Sequence, residues 1–297
     1  MATTVALNKL VIIGVGLIGG SFALALRKAG LVKHITGIGR SAANMQRAIE
    51  LGVIDEIASD TAAALHNADL VFLAMPVGQT AATMEHIAPH LHAHTIITDA
   101  GSTKQDVVTA ARHYLPLQNR HHFVPGHPIA GAEHSGVQAA QADLYTHKHV
   151  ILTPLPETGA QAVERVQQLW QACGANVSLM PADEHDQVLA ATSHLPHLLA
   201  FTLMSHLNHS TSHPENLLRF AGSGFRDFTR IASSSPEMWR DICLANREAL
   251  LEQIKAYQNE LNSLREMLEK HDGEGLGQAF SQARGVREDW LKNKENF

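Results

Sequence analysis

Short apolar runs and helix-patterned stretches alternate along the first 180 or so residues. Runs at Leu10–Ile13 and His34–Ile38 flank a stretch with helical spacing, Ser21–Lys28. This order of strand, turn, helix and strand is typical of a βαβ unit. Further strands are predicted at Leu70–Ala74, Thr95–Thr98, Phe123–Val124, Val150–Leu152 and Asn176–Met180. Because continuously apolar strands are buried on both faces of a parallel sheet, the pattern predicts a doubly wound α/β domain.

The pattern becomes purely helical after Pro181. Helices are predicted at Ala182–His209 with a bend at Pro196, at Glu215–Arg219, and at Pro236–Lys270. The chain is therefore predicted to consist of a dinucleotide-binding domain, residues 1–181, and an all-α substrate and dimerisation domain, residues 182–297.

Apolar residues in the last predicted helix are spaced by alternating steps of four and three. They are Leu250, Ile254, Tyr257, Leu261, Leu264 and Leu268. A heptad-like stripe of this kind suits a seam between helices. The seam lies either within one chain or between two copies of it.

Composition excludes several classes of protein. The chain has 297 residues, 45% of them apolar and 18% charged, with a net charge of -6. No cluster of lysine and arginine is present, which argues against a nucleic-acid partner. The apolar stretch Leu10–Leu26 is too rich in glycine for a signal peptide or a membrane span. With two cysteines and no CxxC pair, we expect a cytoplasmic protein without a membrane partner.

Histidine is unusually common, with 20 residues. Two pairs have a His-x-His spacing, His92 with His94 and His147 with His149. Neither pair has a nearby set of cysteines or carboxylates that resembles a zinc site. We therefore expect no bound metal.

A glycine motif, Gly14-Val15-Gly16-Leu17-Ile18-Gly19, directly follows the first predicted strand. In a dinucleotide-binding loop, Gly14 would permit the tight turn, Gly16 would let a pyrophosphate approach the backbone, and Gly19 would allow close packing of helix on strand. The N–H groups at Leu17 and Ile18 would face the phosphates at the helix N-terminus. A motif in this context predicts a nicotinamide dinucleotide.

The second strand lacks the acid that usually holds the ribose 2′-hydroxyl of NAD. The chain continues there as Gly39-Arg40-Ser41. A guanidinium with an adjacent hydroxyl suits a 2′-phosphate, so the sequence favours NADP. NAD remains possible if Arg40 stacks on the adenine or points into solvent.

Three segments that follow predicted strands carry candidate chemistry. Met75 and Pro76 are expected on the nicotinamide side, and Ser102 either caps a helix or faces the ligand. His127 lies in a loop of glycine and proline residues. An alcohol-oxidising dehydrogenase needs a proton acceptor, and imidazole suits that role. The alternative is a structural histidine bonded to the loop backbone.

The helical half adds two further pairs. His194 and His197 are three residues apart, so both can share one helix face. Arg226 and Arg230 are four apart and suit bidentate binding of carboxylates. The alternative for each arginine is a surface ion pair.

Taken together, six stretches resemble the prephenate/arogenate dehydrogenase family, in particular its cyclohexadienyl dehydrogenase members. The resemblance covers nearly the whole chain. The stretches are VIIGVGLIGGSFALAL, TDAGSTK, FVPGHPIAGAEHSGV, ATSHLPHLLA, GFRDFTRIA and PEMWRDICLANRE.

The resemblance implies oxidative decarboxylation of prephenate to 4-hydroxyphenylpyruvate, or of arogenate to tyrosine, with hydride transfer to NAD(P). It implies a homodimer formed through the helical domain. It also implies roles for single residues. His127 accepts the hydrogen bond of the ring hydroxyl, and Ser102 contacts the same hydroxyl and orients His127. His197 lies near the substrate side chain, Arg230 binds a carboxylate, Glu133 and Trp239 shape the site, and Arg226 lies beside them.

Two other functions are weighed against this one. Dehydrogenases of the β-hydroxyacid or 6-phosphogluconate type use a lysine early in the helical domain. The chain has no lysine or arginine between Ala182 and Leu218, which argues against them. A dinucleotide-binding redox sensor would need neither a proton acceptor nor two arginines. The choice between prephenate and arogenate stays open.

Overall fold

Six parallel strands form the main sheet, in the order β3-β2-β1-β4-β5-β6. The structure, a computed structural model, describes residues 6–132, 134–210 and 213–293. The strands of this sheet are β1 (Leu7–Ile13), β2 (Val32–Ile38), β3 (Glu56–Ile57), β4 (Leu70–Leu73), β5 (Ile96–Asp99) and β6 (Phe123–Val124). The order reverses between β1 and β4, which is where open α/β sheets bind ligands at the carboxyl ends of their strands.

Helices cover both faces of this sheet. In chain order they are α1 (Leu17–Lys28), α2 (Ala42–Glu50), α3 (Thr61–Leu65), α4 (Thr80–Ile87), α5 (Gln105–Tyr114), α6 (Leu117–Arg120) and α7 (Ala160–Ala172). One core contains Phe22, Phe72 and Trp170, whose ring centroids lie 4.5–5.7 Å apart. The other, around Val71 and Ile97, is mainly aliphatic. All four residues of β4 are buried, and the predicted doubly wound α/β fold is confirmed.

A second, three-stranded sheet lies beside the first. It has the order β7-β8-β9, with β7 (Gly126–Pro128), β8 (His149–Leu152) and β9 (Asn176–Leu179). β7 runs antiparallel to β8, with His127 opposite Ile151. The sequence indicated a loop at His127 because glycine and proline disfavour strands. Proline is tolerated at a sheet edge, and β7 is an edge strand.

The helical segment after Pro181 is irregular at one point. Helices α8 (Ala182–Leu189) and α9 (Leu195–Ser210) are joined by a π-helical turn, Ala190–His194. The sequence predicted a bend at Pro196, and the structure has this π-helical turn just before that residue. Pro196 lacks the N–H that would donate to the carbonyl of Thr192, and π turns absorb such defects within a helix.

The predicted single helix Pro236–Lys270 is two helices. After α10 (Pro214–Leu218) and α11 (Ser223–Thr229) come α12 (Pro236–Ala245) and α13 (Arg247–Glu269). Asn246, with φ −104° and ψ 35°, separates the last two. Its side chain is buried and hydrogen-bonded, as described below, and this tertiary contact overrides the helical pattern.

The chain divides into two compact units, Met1–Arg247 and Glu248–Phe297. The second consists of most of α13 and of α14 (Gly273–Asn293). The sequence analysis did not predict α14, whose glycines at 275, 277 and 285 disguise the helical pattern. The domain boundary expected at residue 181 stays a prediction.

One helix in the described part of the chain is long and apolar enough to cross a membrane by these two measures alone. It is Ala182–Ser210, with a mean hydropathy of 1.2 and 22% of the window buried. Because buried polar groups of this helix, His185 and Asp186, form part of the site described below, its composition is weak support for a span. That the protein lacks a membrane partner stays a prediction.

Gly14 and Gly30 both have positive φ, at 98° and 70°, and provide a matched pair of substitutions. A Cβ at Gly14 would lie 2.6 Å from the backbone of Ala74, whereas one at Gly30 would meet open space. We expect Gly30→Ala to lower the free energy of unfolding by about 1–2 kcal/mol through backbone strain. Gly14→Ala should lower it by about 1–3 kcal/mol more, because β4 must move. Urea unfolding measures both, and equal losses would contradict the close approach.

Candidate functional site

The glycine turn lies between β1 and α1, at the carboxyl edge of the sheet. Gly14 packs against the backbone of Ala74, and a Cβ at Gly19 would collide with the carbonyl oxygen of Gly14. Gly16 has nothing within 4 Å of its added Cβ. The turn is therefore closely packed at Gly14 and Gly19 and open at Gly16, which leaves room for a pyrophosphate to approach the backbone there.

Helix α1 begins at Leu17, directly after the open position Gly16. Gly16 is its N-cap, and no side chain caps the helix. The N–H groups of its first turn, at Leu17 and Ile18 among others, have no helical acceptor. They and the helix dipole attract an anion. The residues present thus fit a bound dinucleotide.

The end of β2 carries the two residues expected to meet the ribose. Arg40 and Ser41 are both exposed. The Ser41 hydroxyl accepts from the N–H of Asn44 at 3.2 Å and caps α2. A Cβ at Gly39 would collide with the buried side chain of Met45, so Arg40 is the first side chain at this edge that can reach outward.

The loop after β4 adjoins the glycine turn. The added Cβ of Gly14 would lie 2.8 Å from the nitrogen of Met75. Met75 is half-buried and Pro76 is exposed. The residues predicted for the nicotinamide side thus lie beside the predicted pyrophosphate loop.

A buried carboxylate joins the loop after β5 to β7. Asp99 accepts from the Nζ of Lys104 at 2.5 Å, from the N–H of Gly101 at 2.7 Å and from the N–H of Gly126 at 3.0 Å. Both side chains of the ion pair are almost completely buried. Removing one partner of such a pair costs about 3–5 kcal/mol, because the other charge stays buried. The pair therefore fixes the strand that carries His127.

Ser102 lies within this loop and is half-buried. Helix α5 begins at Gln105, and its N-cap residue is Lys104 rather than Ser102. Of the two roles considered for Ser102, the helix cap is therefore excluded, and a ligand-facing role remains a prediction.

His127 is buried, with 9% of its surface exposed. Its Nδ1 lies 2.9 Å from Nε2 of His185, and Nδ1 of His185 lies 2.8 Å from Oδ1 of Asp186. Burial, and next the neighbouring His185, Lys104 and His194, hold the pKa of His127 well below its usual value. The imidazole is thus neutral and able to accept a proton.

Asp186 ends the row of hydrogen-bonded side chains that runs from His127 through His185. Its carboxylate also accepts from the backbone N–H groups of Lys104 at 2.8 Å and Gln105 at 2.9 Å. Gln105 is the first residue of α5, and Lys104 is its N-cap. Asp186 on α8 therefore ties the helical segment to the loop after β5.

His194 is held by the residue that breaks the long helix. The amide nitrogen of Asn246 donates to the carbonyl of Asp186 at 2.7 Å and lies 3.1 Å from Nδ1 of His194. This nitrogen can only donate, so Nδ1 of His194 accepts and Nε2 carries the hydrogen. Burial lowers the pKa of His194 to about 4. His194 thus carries a neutral N–H at Nε2, and a bond to the backbone of Ser102 opposes the lowering of its pKa.

His197 stacks on Trp239, with ring centroids 3.7 Å apart. The ring of His194 lies 6.1 Å from the same indole, so the two histidines share one face as predicted. Nδ1 of His197 donates to the carbonyl of Ser193 at 2.9 Å. Burial and then the charge of Arg230 lower the pKa of His197, against the effect of the Ser193 bond.

The two arginines lie outside this buried group. Arg226 is exposed and 3.6 Å from Asp227, which is the surface ion pair considered above. Arg230 is exposed too, but its charge acts on His197. Glu133 lies outside the described residues.

Sequence reasoning missed His185, Asp186, Asn246 and the Asp99–Lys104 pair. The available signal was weak: His185 and Asp186 are titratable residues in the stretch that also holds His194 and His197. Nine residues span about 2.5 turns of a regular helix, which would put His185 and His194 on opposite faces. The π turn changes that angle.

In the residues that the structure describes, no group of three or more His, Cys, Asp or Glu side chains could hold a metal ion. The described residues thus provide a neutral buried base, a neutral N–H donor and a helix N-terminus that attracts anions. This arrangement suits oxidation of an alcohol by a dinucleotide.

Two family models match consecutive parts of the chain. The one described as prephenate dehydrogenase, nucleotide-binding domain, matches residues 22–179. The one described as prephenate dehydrogenase, dimerization domain, matches residues 181–282.

Similar proteins carry related names. A prephenate dehydrogenase of Bacillus subtilis is 42% identical over 95% of this chain and 76% of its own length. A cyclohexadienyl dehydrogenase of Zymomonas mobilis is 36% identical over 94% of this chain and 95% of its own.

Two solved structures share the fold. A prephenate dehydrogenase from A. aeolicus, in complex with hydroxyphenyl propionate and NAD+, matches with a TM-score of 0.90 and 36% identity over 97% of this chain and 99% of that chain. An arogenate dehydrogenase from Synechocystis matches with a TM-score of 0.80 and 27% identity over 95% and 99%.

Proposed function

The chain belongs to the prephenate dehydrogenase family, as its sequence predicted, and we propose that it oxidises and decarboxylates prephenate to 4-hydroxyphenylpyruvate in tyrosine biosynthesis. The observation that carries this proposal is the buried, neutral His127, whose strand is hydrogen-bonded through Gly126 to Asp99 at the end of β5. Arogenate, which has an amino group in place of the keto group, is a second substrate to be tested.

The nucleotide-binding domain would hold NAD(P), which when bound would supply the acceptor for the hydride of the ring carbon that bears the hydroxyl. Gly14, Gly16 and Gly19 with the first turn of α1 would hold its pyrophosphate, while Met75 and Pro76 would border the nicotinamide. We favour NADP over NAD, because Arg40 reaches outward where an acid is usual and Ser41 adjoins it.

His127 would receive the hydrogen bond of the ring hydroxyl and take up its proton as a carbonyl forms at that carbon. Loss of the ring carboxylate as CO2 then makes the ring aromatic. The same proton returns from His127 to the phenolic oxygen, so the reaction releases no net proton. A neutral imidazole suits both transfers, since it must be unprotonated to begin.

The substrate would be held by groups around His127. Ser102 and His194 would contact its polar groups, and His197 and Trp239 would border its side chain. Arg230, whose charge acts on His197, would bind a carboxylate, with Arg226 nearby and Glu133 completing the site. Bidentate pairing is what arginine provides to a carboxylate.

We further propose a cytoplasmic homodimer formed through the helical part of the chain. Tyr257, Leu261 and Leu268 of the heptad-like stripe are 37%, 50% and 63% exposed in the single chain. Apolar side chains in such a row are typical of a helix–helix seam between subunits, and the matched family domain is described as a dimerization domain.

The proposal is tested by an assay of two substrates, prephenate and arogenate, with each of the two cofactors. We expect reduction of the cofactor, followed by its absorbance, to accompany formation of 4-hydroxyphenylpyruvate from prephenate. Malate and 6-phosphogluconate serve as control substrates. Turnover of a control with none of prephenate or arogenate would contradict the proposed function.

His127→Asn tests the proton acceptor. We expect kcat to fall by about 10²–10⁴-fold, the usual effect of losing a general base, with the Kd of the cofactor unchanged. The matched control is His149→Asn, an exposed histidine on the neighbouring strand, which should retain full activity. Near-normal turnover by His127→Asn would exclude His127 as the acceptor.

Arg40→Ala tests the cofactor preference. A charge-assisted hydrogen bond contributes about 1.5–3 kcal/mol, so kcat/KM with NADP should fall by about 10- to 100-fold while that with NAD is unchanged. Arg47→Ala, which removes an exposed arginine paired with Glu50 on α2, is the control. If wild type prefers NAD and Arg40→Ala uses NADP as well as wild type does, the preference for NADP is wrong.

A further inference from the structure

One ring nitrogen of His127, Nδ1, is hydrogen-bonded to a second histidine. His185 on α8 is completely buried, and its Nε2 lies 2.9 Å from Nδ1 of His127. The two rings meet edge to face, with centroids 5.1 Å apart. Neither the glycine turn nor the loop after β5 supplies a bond to this nitrogen among the described contacts. His185 is therefore the group positioned to control which tautomer His127 adopts.

The direction of each hydrogen bond in the row His127, His185 and Asp186 follows from Asp186. The carboxylate of Asp186 accepts hydrogen bonds from two backbone N–H groups. Since an ionised carboxylate only accepts, it is the acceptor in its bond with His185 as well. Nδ1 of His185 must then carry a hydrogen to donate to Oδ1 of Asp186 at 2.8 Å. Burial lowers the pKa of His185, so the ring is neutral and its Nε2 has a free lone pair.

This lone pair determines the state of His127. Nε2 of His185 can only accept, so Nδ1 of His127 must carry the hydrogen. Nε2 of His127 is then the bare nitrogen, which is the one that a general base needs. When His127 takes up a proton, its Nδ1–H still has an acceptor, and the positive charge is stabilised by Asp186 through His185.

We propose that His185, held by Asp186, is a positioning residue that fixes His127 in the tautomer with a bare Nε2. This inference deepens the proposed function and rests on it for its kinetic consequence. The hydrogen bonds from the backbone of Lys104 and Gln105 hold the Asp186 carboxylate at the N-terminus of α5, and this keeps His185 in place. A change of Asp186 itself would disturb that junction, so His185 is the residue to vary.

Two substitutions of His185 separate positioning from support of the fold. A glutamine amide can reach the place of the imidazole Nε2 and accept from His127, whereas an asparagine amide reaches only the place of Nδ1 and can donate to Asp186. A purely structural role towards Asp186 would be preserved by His185→Asn. A role exerted through His127 would be preserved by His185→Gln.

The kinetic test uses the full chain with prephenate and the preferred cofactor. We expect His185→Asn to lower kcat by about 10- to 100-fold, as is usual for groups that orient a functional histidine, with KM unchanged. His185→Gln should retain most of kcat, and His149→Asn all of it. In the His127→Asn background, His185→Asn should cause no further loss. Equal kcat values for the two His185 variants, or a full additional loss in the double variant, would overturn the proposal.

A second readout does not depend on catalysis. The ¹⁵N NMR spectrum of histidine-labelled protein without cofactor reports which ring nitrogen is protonated, and His127→Asn identifies the signals. We expect an unprotonated Nε2 and a protonated Nδ1 for His127 in wild type and His185→Gln, and values averaged between tautomers in His185→Asn. An unchanged tautomer in His185→Asn would overturn the inference. Failure of wild type to oxidise prephenate would instead overturn the proposed function and leave this result standing.

Discussion

The carboxylate of Asp99 determines where the site can form. It ends β5, neutralises the buried Lys104 and accepts from the backbone of Gly101 and Gly126. One side chain thus sets the loop that carries Ser102 and the strand that carries His127. Because its cation is fully buried, neither partner can be released into solvent without leaving a charge behind. The loop and the strand are therefore held in one geometry before any ligand binds.

The same burial explains why several histidines can lie close together. His127, His185 and His194 contact or influence one another, and three imidazolium ions at such distances would repel strongly. Removal from water disfavours the charged form of each ring. The histidines therefore act as neutral donors and acceptors whose roles are set by fixed partners, Asp186 at one end and Asn246 at the other.

These two partners also account for the irregular helices. The π turn Ala190–His194 and the break at Asn246 both interrupt helices that would otherwise be continuous. In each case the interruption directs a buried polar side chain towards the group around His127. Strain or irregularity in a helix is commonly found beside functional sites.

The sequence by itself determined the fold class, the glycine turn and the family. Those features depend on local order: β-branched runs, a glycine spacing and motifs that each lie within one segment. It also predicted roles for His127, His194, His197 and Trp239, because each stands in such a motif. Only the tertiary structure decided which groups hold these residues. His185 and Asp186 lie 58 and 59 positions beyond His127, in a helix whose regular pattern would place His185 and His194 on opposite faces. Asn246 looked like one more helical residue. The positions of these side chains depend on packing between distant segments, which no spacing along the chain encodes.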